Sequence, residues 1–207
     1  MNSDHLQKVN RTRNYFVAMT ELKIRLRDGL YLSSLQPDDK PALVEHLHSR
    51  DVYNTTLNIP HPYLEAHADS WMQKRAEHTR SCGKEVTFAI RNAEGKLIGI
   101  VSADNLEPGT THRAEIGYWL AKPYWGQGIM TDAVKAYVEH AFRELQVIRL
   151  TAHVFEMNAA SARVLEKNGF KLEGRFRKHL CKDGEFLDAR FYGLLKEDAT
   201  PSNPESG

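Results

Sequence analysis

Two glycines have the type and spacing to do chemistry: Gly126 and Gly128, in the run Tyr124-Trp-Gly-Gln-Gly-Ile-Met-Thr131. They directly precede a stretch that reads as a helix from Met130 to Leu145. The first N–H groups of a helix have no intrahelical acceptor, and the dipole leaves that end positive. Alternating glycines let neighbouring backbone N–H groups turn toward one centre, and without a Cβ a phosphate can come close to them. The chemistry implied is anion binding by the main chain. A plain strand-to-helix connection would use the same two glycines, and the pair alone does not separate these readings. The histidines suggest no metal site, because His46-x-His48 lies on a helix at a spacing that turns the two rings apart. Cys82 and Cys181 fit neither a zinc spacing nor a disulfide framework, which points to a reducing compartment.

The elements that must position this turn alternate between strand and helix patterns. Tyr31–Leu35 reads as a short strand, and Gln36-Pro-Asp-Asp39 starts a helix running to about Arg50. Asn58-Ile-Pro-His-Pro62 breaks the periodicity before a second helix from about Leu64 to Thr79. Val86–Arg91 and Lys96–Ala103 are strand runs around the hairpin loop Asn92-Ala-Glu-Gly95. Strands are expected at Arg113–Leu120 and Val147–Val154, and two more between Phe170 and Leu195. Between Met130 and Leu145 the apolar positions fall on one face. A further helix opens at Asn158, a good N-cap, and closes at Gly169, which can take the left-handed conformation and let Phe170 pack back on Leu165. Such alternation predicts an α/β (α+β) fold around a mixed sheet.

Composition bounds the possibilities. The 207 residues are 41% hydrophobic and 27% charged, enough for one sizeable core and too apolar for a disordered chain. Lys plus Arg number 28 against 27 Asp plus Glu, a net charge of +1, so no strong field favours nucleic acid or an anionic membrane. No apolar run approaches a membrane span. Residues 1–28 show no sustained period and read as an N-terminal extension; residues 196–207 read as a polar tail, leaving one domain over 29–195. The opening residues lack the apolar stretch of a secretory signal, and the expected location is cytoplasmic. A mitochondrial presequence is the competing reading of that basic start, with Asp4 and Glu21 against it.

Four segments, in order, resemble the GNAT superfamily of acyl-CoA-dependent N-acetyltransferases, and within it the RimJ/RimL-like branch named for enzymes that acetylate ribosomal-protein N-termini. Ile59-Pro-His-Pro-Tyr63 looks like the branch's loop between its first two helices, and Ala114-Glu-Ile-Gly-Tyr-Trp-Leu120 like its fourth strand. Tyr124–Thr131 looks like its pyrophosphate loop, and Asn158-Ala-Ala-Ser-Ala-Arg-Val-Leu-Glu-Lys-Asn-Gly-Phe170 like its second cofactor motif. Two positions depart from the superfamily loop pattern: Trp125 stands where Gln or Arg is usual, and Met130 where Gly or Ala is usual.

The resemblance implies a twisted mixed sheet with helices on both faces, splayed between the fourth and fifth strands (113–120 and 147–154). Acetyl-CoA would be the co-substrate, with no metal. Its pantetheine arm would enter the splay along the backbone of Ile116, Tyr118, Trp119 and Leu120. Its pyrophosphate would meet Trp125, Gly126, Gln127, Gly128, Ile129, Met130 and Thr131. Gly117 would suit a bulge or a close approach there. Transfer to an amine needs a neutral nucleophile, a stabilised oxyanion and a hydrogen-bonded leaving thiolate. Glu115 matches a general-base position of some members; the alternative is a strand carboxylate paired with Arg113, Arg149 or another base. The tyrosine that many members use as general acid is replaced by Leu165, leaving Ser161 as the nearest donor to the sulfur. Asn158 would cap its helix and touch pantetheine.

His61, Tyr63, Tyr118 and Trp119 could line the acceptor pocket, or simply pack in the core. His179 could approach the acceptor or face solvent. The expected activity is direct acetyl transfer to a primary amine, a peptide or protein N-terminal α-amine, by a monomer or homodimer. The rivals are a small-molecule or polyamine acetyltransferase and a non-catalytic acyl-CoA sensor.

Overall fold

The computed structural model describes residues 22–106 and 112–199. Strand alternation builds its central layer. In β3 (Thr87–Arg91), Phe88 and Ile90 pack to one side and Ala89 to the other. The remaining strands are β1 (Lys23–Arg25), β2 (Tyr31–Ser34), β4 (Leu97–Asp104), β5 (Arg113–Leu120), β6 (Arg149–Phe155), β7 (Lys171–Lys182) and β8 (Glu185–Leu195). They form one sheet in the order β1-β2-β3-β4-β5-β6-β8-β7. Neighbours run antiparallel except β5 and β6.

That parallel pair lasts for Arg113↔Arg149, Ala114↔Leu150 and Glu115↔Thr151. Beyond Glu115, β5 keeps only β4 as partner, and β6 keeps only β8. The sheet therefore forks, between the two strands where the family resemblance implies a splay. The strand expected to be fourth is fifth, because β1 adds to the edge. The sheet thus begins inside the segment read as an extension, and Lys196–Ala199 forms a helical turn where a polar tail is expected. Residues 1–21 and 200–207 of those two segments lie outside the described residues.

Helices cover both faces. On one lie α1 (Lys40–Leu47), α2 (Arg50–Thr55) and α3 (Glu65–Cys82), whose Leu43, Leu47, Val52 and Met72 pack with Trp119 and Ile100. On the other lie α4 (Ile129–Glu144) and α5 (Ala159–Lys167). The apolar stripe of α4, including Val134, Tyr137, Val138 and Ala141, is buried as its periodicity predicts. Gly169 has φ +82°, and Phe170 N–H donates to the Leu165 carbonyl at 3.1 Å, closing α5 in the expected way. The helix expected to reach about Arg50 stops at Leu47, because Ser49 takes an extended conformation, and a further short helix that the sequence does not foresee, α2, begins at Arg50. None of the described helices is long and apolar enough to cross a membrane.

A buried ion pair ties the α1 layer to the sheet. Arg91 donates to both carboxylate oxygens of Asp39 at 2.7 and 2.8 Å, and to Ser33 Oγ at 2.6 Å. Both side chains are nearly inaccessible, at 8% and 6%. Removing one partner strands a buried charge, so Asp39→Ala should lower unfolding free energy by about 3–5 kcal/mol in denaturant titration. His140 gives a pH dependence. It is buried on α4 against Phe88, and burial lowers its pKa from the ordinary 6.5. The unfolded chain then binds the extra proton first, so His140 contributes stability above about pH 6.5 that is lost as pH falls through its folded value. His140→Gln should flatten the decline of Tm measured between pH 7 and 5.

Candidate active site

Two cavities open where β5 leaves β6. One, of about 440 Å³, lies between the fork, α3 and the loop after α2; the other, of about 400 Å³, runs from the fork to the start of α4. They share Thr55, Tyr118, Trp119, Asn158 and Ser161. The wall of the larger cavity is clasped by the β7–β8 hairpin. Lys182 Nζ donates to the Tyr53 and Thr56 carbonyls at 2.8 and 2.5 Å, and Tyr53 OH donates to Asp183.

Backbone geometry builds the α4 end of the smaller cavity. Gly126 and Gly128 have φ +74° and +77°, a region that L side chains rarely adopt. A Cβ on Gly126 would meet open space, whereas one on Gly128 would lie 2.8 Å from Arg27 Nη2. The close approach at Gly128 is therefore to the protein's own Arg27 and not only to a ligand. Arg27 donates to the Gln127 carbonyl and pairs with Asp132 of α4 at 2.7 Å. Holding that carbonyl turns the N–H of the same peptide plane, which belongs to Gly128, the opposite way.

Around this loop, Leu120, Trp125, Ile129, Met130 and Thr131 line the smaller cavity with the two glycines. Gln127 does not; its side chain turns back to the Pro123 carbonyl at 3.0 Å. Trp125 donates its indole N–H to the Leu120 carbonyl at 2.6 Å, occupying one acceptor on the strand expected to ladder with a ligand.

At the junction, Asn158 caps α5 by accepting from Ser161 N–H at 3.0 Å, and Ser161 Oγ lies 2.9 Å from Tyr118 OH. Ser161, expected as the nearest donor to the sulfur, is thus bonded to a second hydroxyl. Burial pushes the Tyr118 phenol well above its ordinary range, so it keeps its proton at neutral pH. Leu165 is fully buried in the core.

Glu115 stands at the last paired position of the fork and accepts from His153 Nδ1 at 2.7 Å. Asn105 Nδ2 approaches its other oxygen at 3.4 Å. Arg149, one of the suggested partners, instead pairs with Glu173. His153 stacks on exposed His179, with ring centroids 5.3 Å apart. Ile116, Gly117 and Tyr63 line the larger cavity as well. His61 lines neither; its ring sits between His48 and Tyr53. His46 and His48 bond to separate carbonyls, of Leu97 and Tyr63. Among the described residues no group of three or more His, Cys, Asp or Glu could hold a metal ion.

His153, Arg27 and the Tyr118 hydroxyl escape the sequence reading. His153 continues the polar alternation of Arg149 and Thr151 along its strand, so its type alone does not single it out. Nothing local marks Arg27 as a neighbour of a loop 100 residues away.

Residues 29–171 match the family model described as acetyltransferase (GNAT) domain. A Bacillus subtilis (strain 168) relative, probable N-acetyltransferase YjcK, is 41% identical over 116 residues, 56% of this chain and 64% of that protein. The Escherichia coli (strain K12) [ribosomal protein uS5]-alanine N-acetyltransferase is 29% identical over 108 residues, 52% of this chain and 56% of that one. The matched region thus spans under two thirds of either relative. Mycobacterium smegmatis RimJ in complex with CoA-disulfide shares the fold, with a TM-score of 0.74 at 23% identity, over 89% of this chain and 91% of that one. If Arg27 aims the Gly128 N–H, Arg27→Ala should weaken CoA binding about tenfold in calorimetry and leave pantetheine, which lacks the diphosphate, unchanged. Equal losses for both ligands would mean wider damage.

Proposed function

The chain belongs to the GNAT acetyltransferase family, and from that premise we propose that it transfers an acetyl group from acetyl-CoA directly to a primary amine, the α-amine of a peptide or protein N-terminus. The carrying observation is that two cavities meet at the Tyr118–Ser161 pair beside the fork. The smaller suits the donor. Its glycine turn, positive helix end and open space at Gly126 fit a diphosphate, and Tyr118, Trp119 and Leu120 would flank the pantetheine arm. When bound, acetyl-CoA supplies an activated acyl carbon.

The larger cavity suits the acceptor. Glu115 offers negative charge at its base, and Ile59, Tyr63, Trp71 and Leu180 give it apolar walls for a first side chain. Its second carboxylate, Asp104, is held by Arg75 at 2.6 Å. A polyamine would call for several separated carboxylates, and this lining has two, each already with a partner, whereas an α-amine needs one. The family relative that acts on uS5 alanine fits the same chemistry.

The transferring amine must lose its proton, as a peptide α-amine has a pKa of about 8. Glu115 and His153 stand at that end. The departing thiolate needs a donor, and Ser161 can give its hydroxyl proton while accepting from Tyr118. That two-oxygen relay replaces the tyrosine lost at position 165.

A mass-shift screen with acetyl-CoA against N-terminal peptides, free amino acids, polyamines and aminoglycosides tests the reading. Peptides gaining one acetyl group are expected. Gain only on a polyamine or aminoglycoside would overturn the acceptor, and thiol release with no acceptor dependence would favour a sensor. Ser161→Ala and Tyr118→Phe should each lower kcat about tenfold with acetyl-CoA affinity nearly intact, and the double variant should lose little more than either, since both serve one relay.

A further inference from the structure

We propose that His153 takes the proton from the acceptor amine, with Glu115 acting on the reaction through that ring; the inference rests on the acetyl-transfer reading above. The hydrogen bond at 2.7 Å uses Nδ1 of His153 and Oε1 of Glu115. A carboxylate can only accept, so Nδ1 carries the hydrogen and Nε2 presents a lone pair. His153 and Glu115 line the larger cavity together, and their side chains are 25% and 32% exposed. Sheet register explains why they meet. Thr151 lies opposite Glu115, and His153 follows two residues later on the same face, just past the last β5–β6 pair. Gly117, two past Glu115 on β5, lines the same cavity without adding a side chain to it, and a Cβ there would meet only Asp104 Oδ2, at 3.7 Å. An amine in that space can meet an imidazole.

The surroundings are polar on one side and aromatic on the others. Glu115 faces the ring from β5, His179 stacks on it from β7, and Phe176 and Phe191 pack on it from β7 and β8. Imidazoles as a class titrate at about 6.5 and carboxylates at about 4.3, against about 8 for the α-amine. A ring is therefore better matched than a carboxylate to remove an ammonium proton at neutral pH. Glu115 also stabilises the imidazolium that results.

The proton count closes. The ammonium gives one proton to His153 Nε2, and its lone pair then forms the C–N bond to the acyl carbon. As the C–S bond breaks, the second proton leaves nitrogen; the thiolate takes one from the Ser161–Tyr118 relay, which the nitrogen proton restores through water. The proton on His153 passes to solvent on the side of exposed His179.

Two measurements test this. Nitrogen-15 NMR of the intact protein should find the neutral His153 ring as the Nδ1–H tautomer, and Glu115→Ala should abolish that preference. An Nε2–H tautomer in the unaltered protein would overturn the proposal without reference to turnover. In kinetics, His153→Gln should lower kcat/KM about 100-fold near pH 7, with the deficit shrinking as pH passes the acceptor's own pKa and free amine becomes abundant. CoA affinity should be unchanged, which separates chemistry from misfolding. A deficit equal at every pH from 6 to 10, or normal turnover, would remove His153 as base while leaving acetyl transfer standing. Failure of the unaltered enzyme to acetylate any amine would overturn the transfer reading and the base with it.

Discussion

Three register positions hold β5 to β6, and the parallel pairing stops at Glu115. A sheet that loses a strand pair exposes backbone donors and acceptors, which is costly inside a protein unless something else meets them. Here β4 and β8 hold the outer edges of the two separating strands, so the opening is bounded by rigid elements and does not collapse. The inner edges face each other across a gap. The Trp125 indole takes one of their carbonyls, and α5, capped by Asn158, closes the far end. The site is thus a consequence of where one ladder ends.

The loop at the start of α4 depends on the same economy of backbone groups. Its glycines adopt positive φ, and the turned peptide at Gln127 is fixed by Arg27 from the chain just after β1. That contact makes the first edge strand part of the functional architecture. Arg27 also neutralises Asp132 in the first turn of α4, where a carboxylate would otherwise compete with an incoming phosphate for the helix end.

The legible parts of this fold were those set by local periodicity and local caps. The stripe of α4, the Asn158 cap, the Gly169 terminus and the 113–120 strand could be read because each is decided by residues within a few positions of one another. The short helix α2 could not, since among its six residues only Val52 is a buried apolar position and no stripe marks it. The same limit applies at the site. Glu115 was visible, but its partner was not, because His153 reaches it through sheet register across 38 residues. Tyr118 reads from the sequence as an aromatic that could line a pocket, yet its hydroxyl gains meaning only once α5 brings Ser161 to it.

Strand alternation adds one more consequence. On β5 the even positions Ile116 and Leu120 join the core under α4 and α5, while Trp119 joins the core under α1–α3. On β6, Leu150, Ala152 and Val154 belong to the first of these faces. Tyr118 therefore reaches Ser161 on the α5 side, and Glu115 and His153 meet on the opposite side. The pair proposed to serve the thiolate and the pair proposed to serve the amine lie on opposite faces of one sheet, three residues apart along β5. A continuous sheet would wall them off from each other. Because the sheet is open at that height, the cavity on the α4 side and the cavity on the α3 side join at Tyr118 and Ser161, so the proposed donor and acceptor would have a common meeting place. The two-residue period of a strand, interrupted by a fork, sets the two pairs on opposite faces while leaving the reacting atoms a common centre.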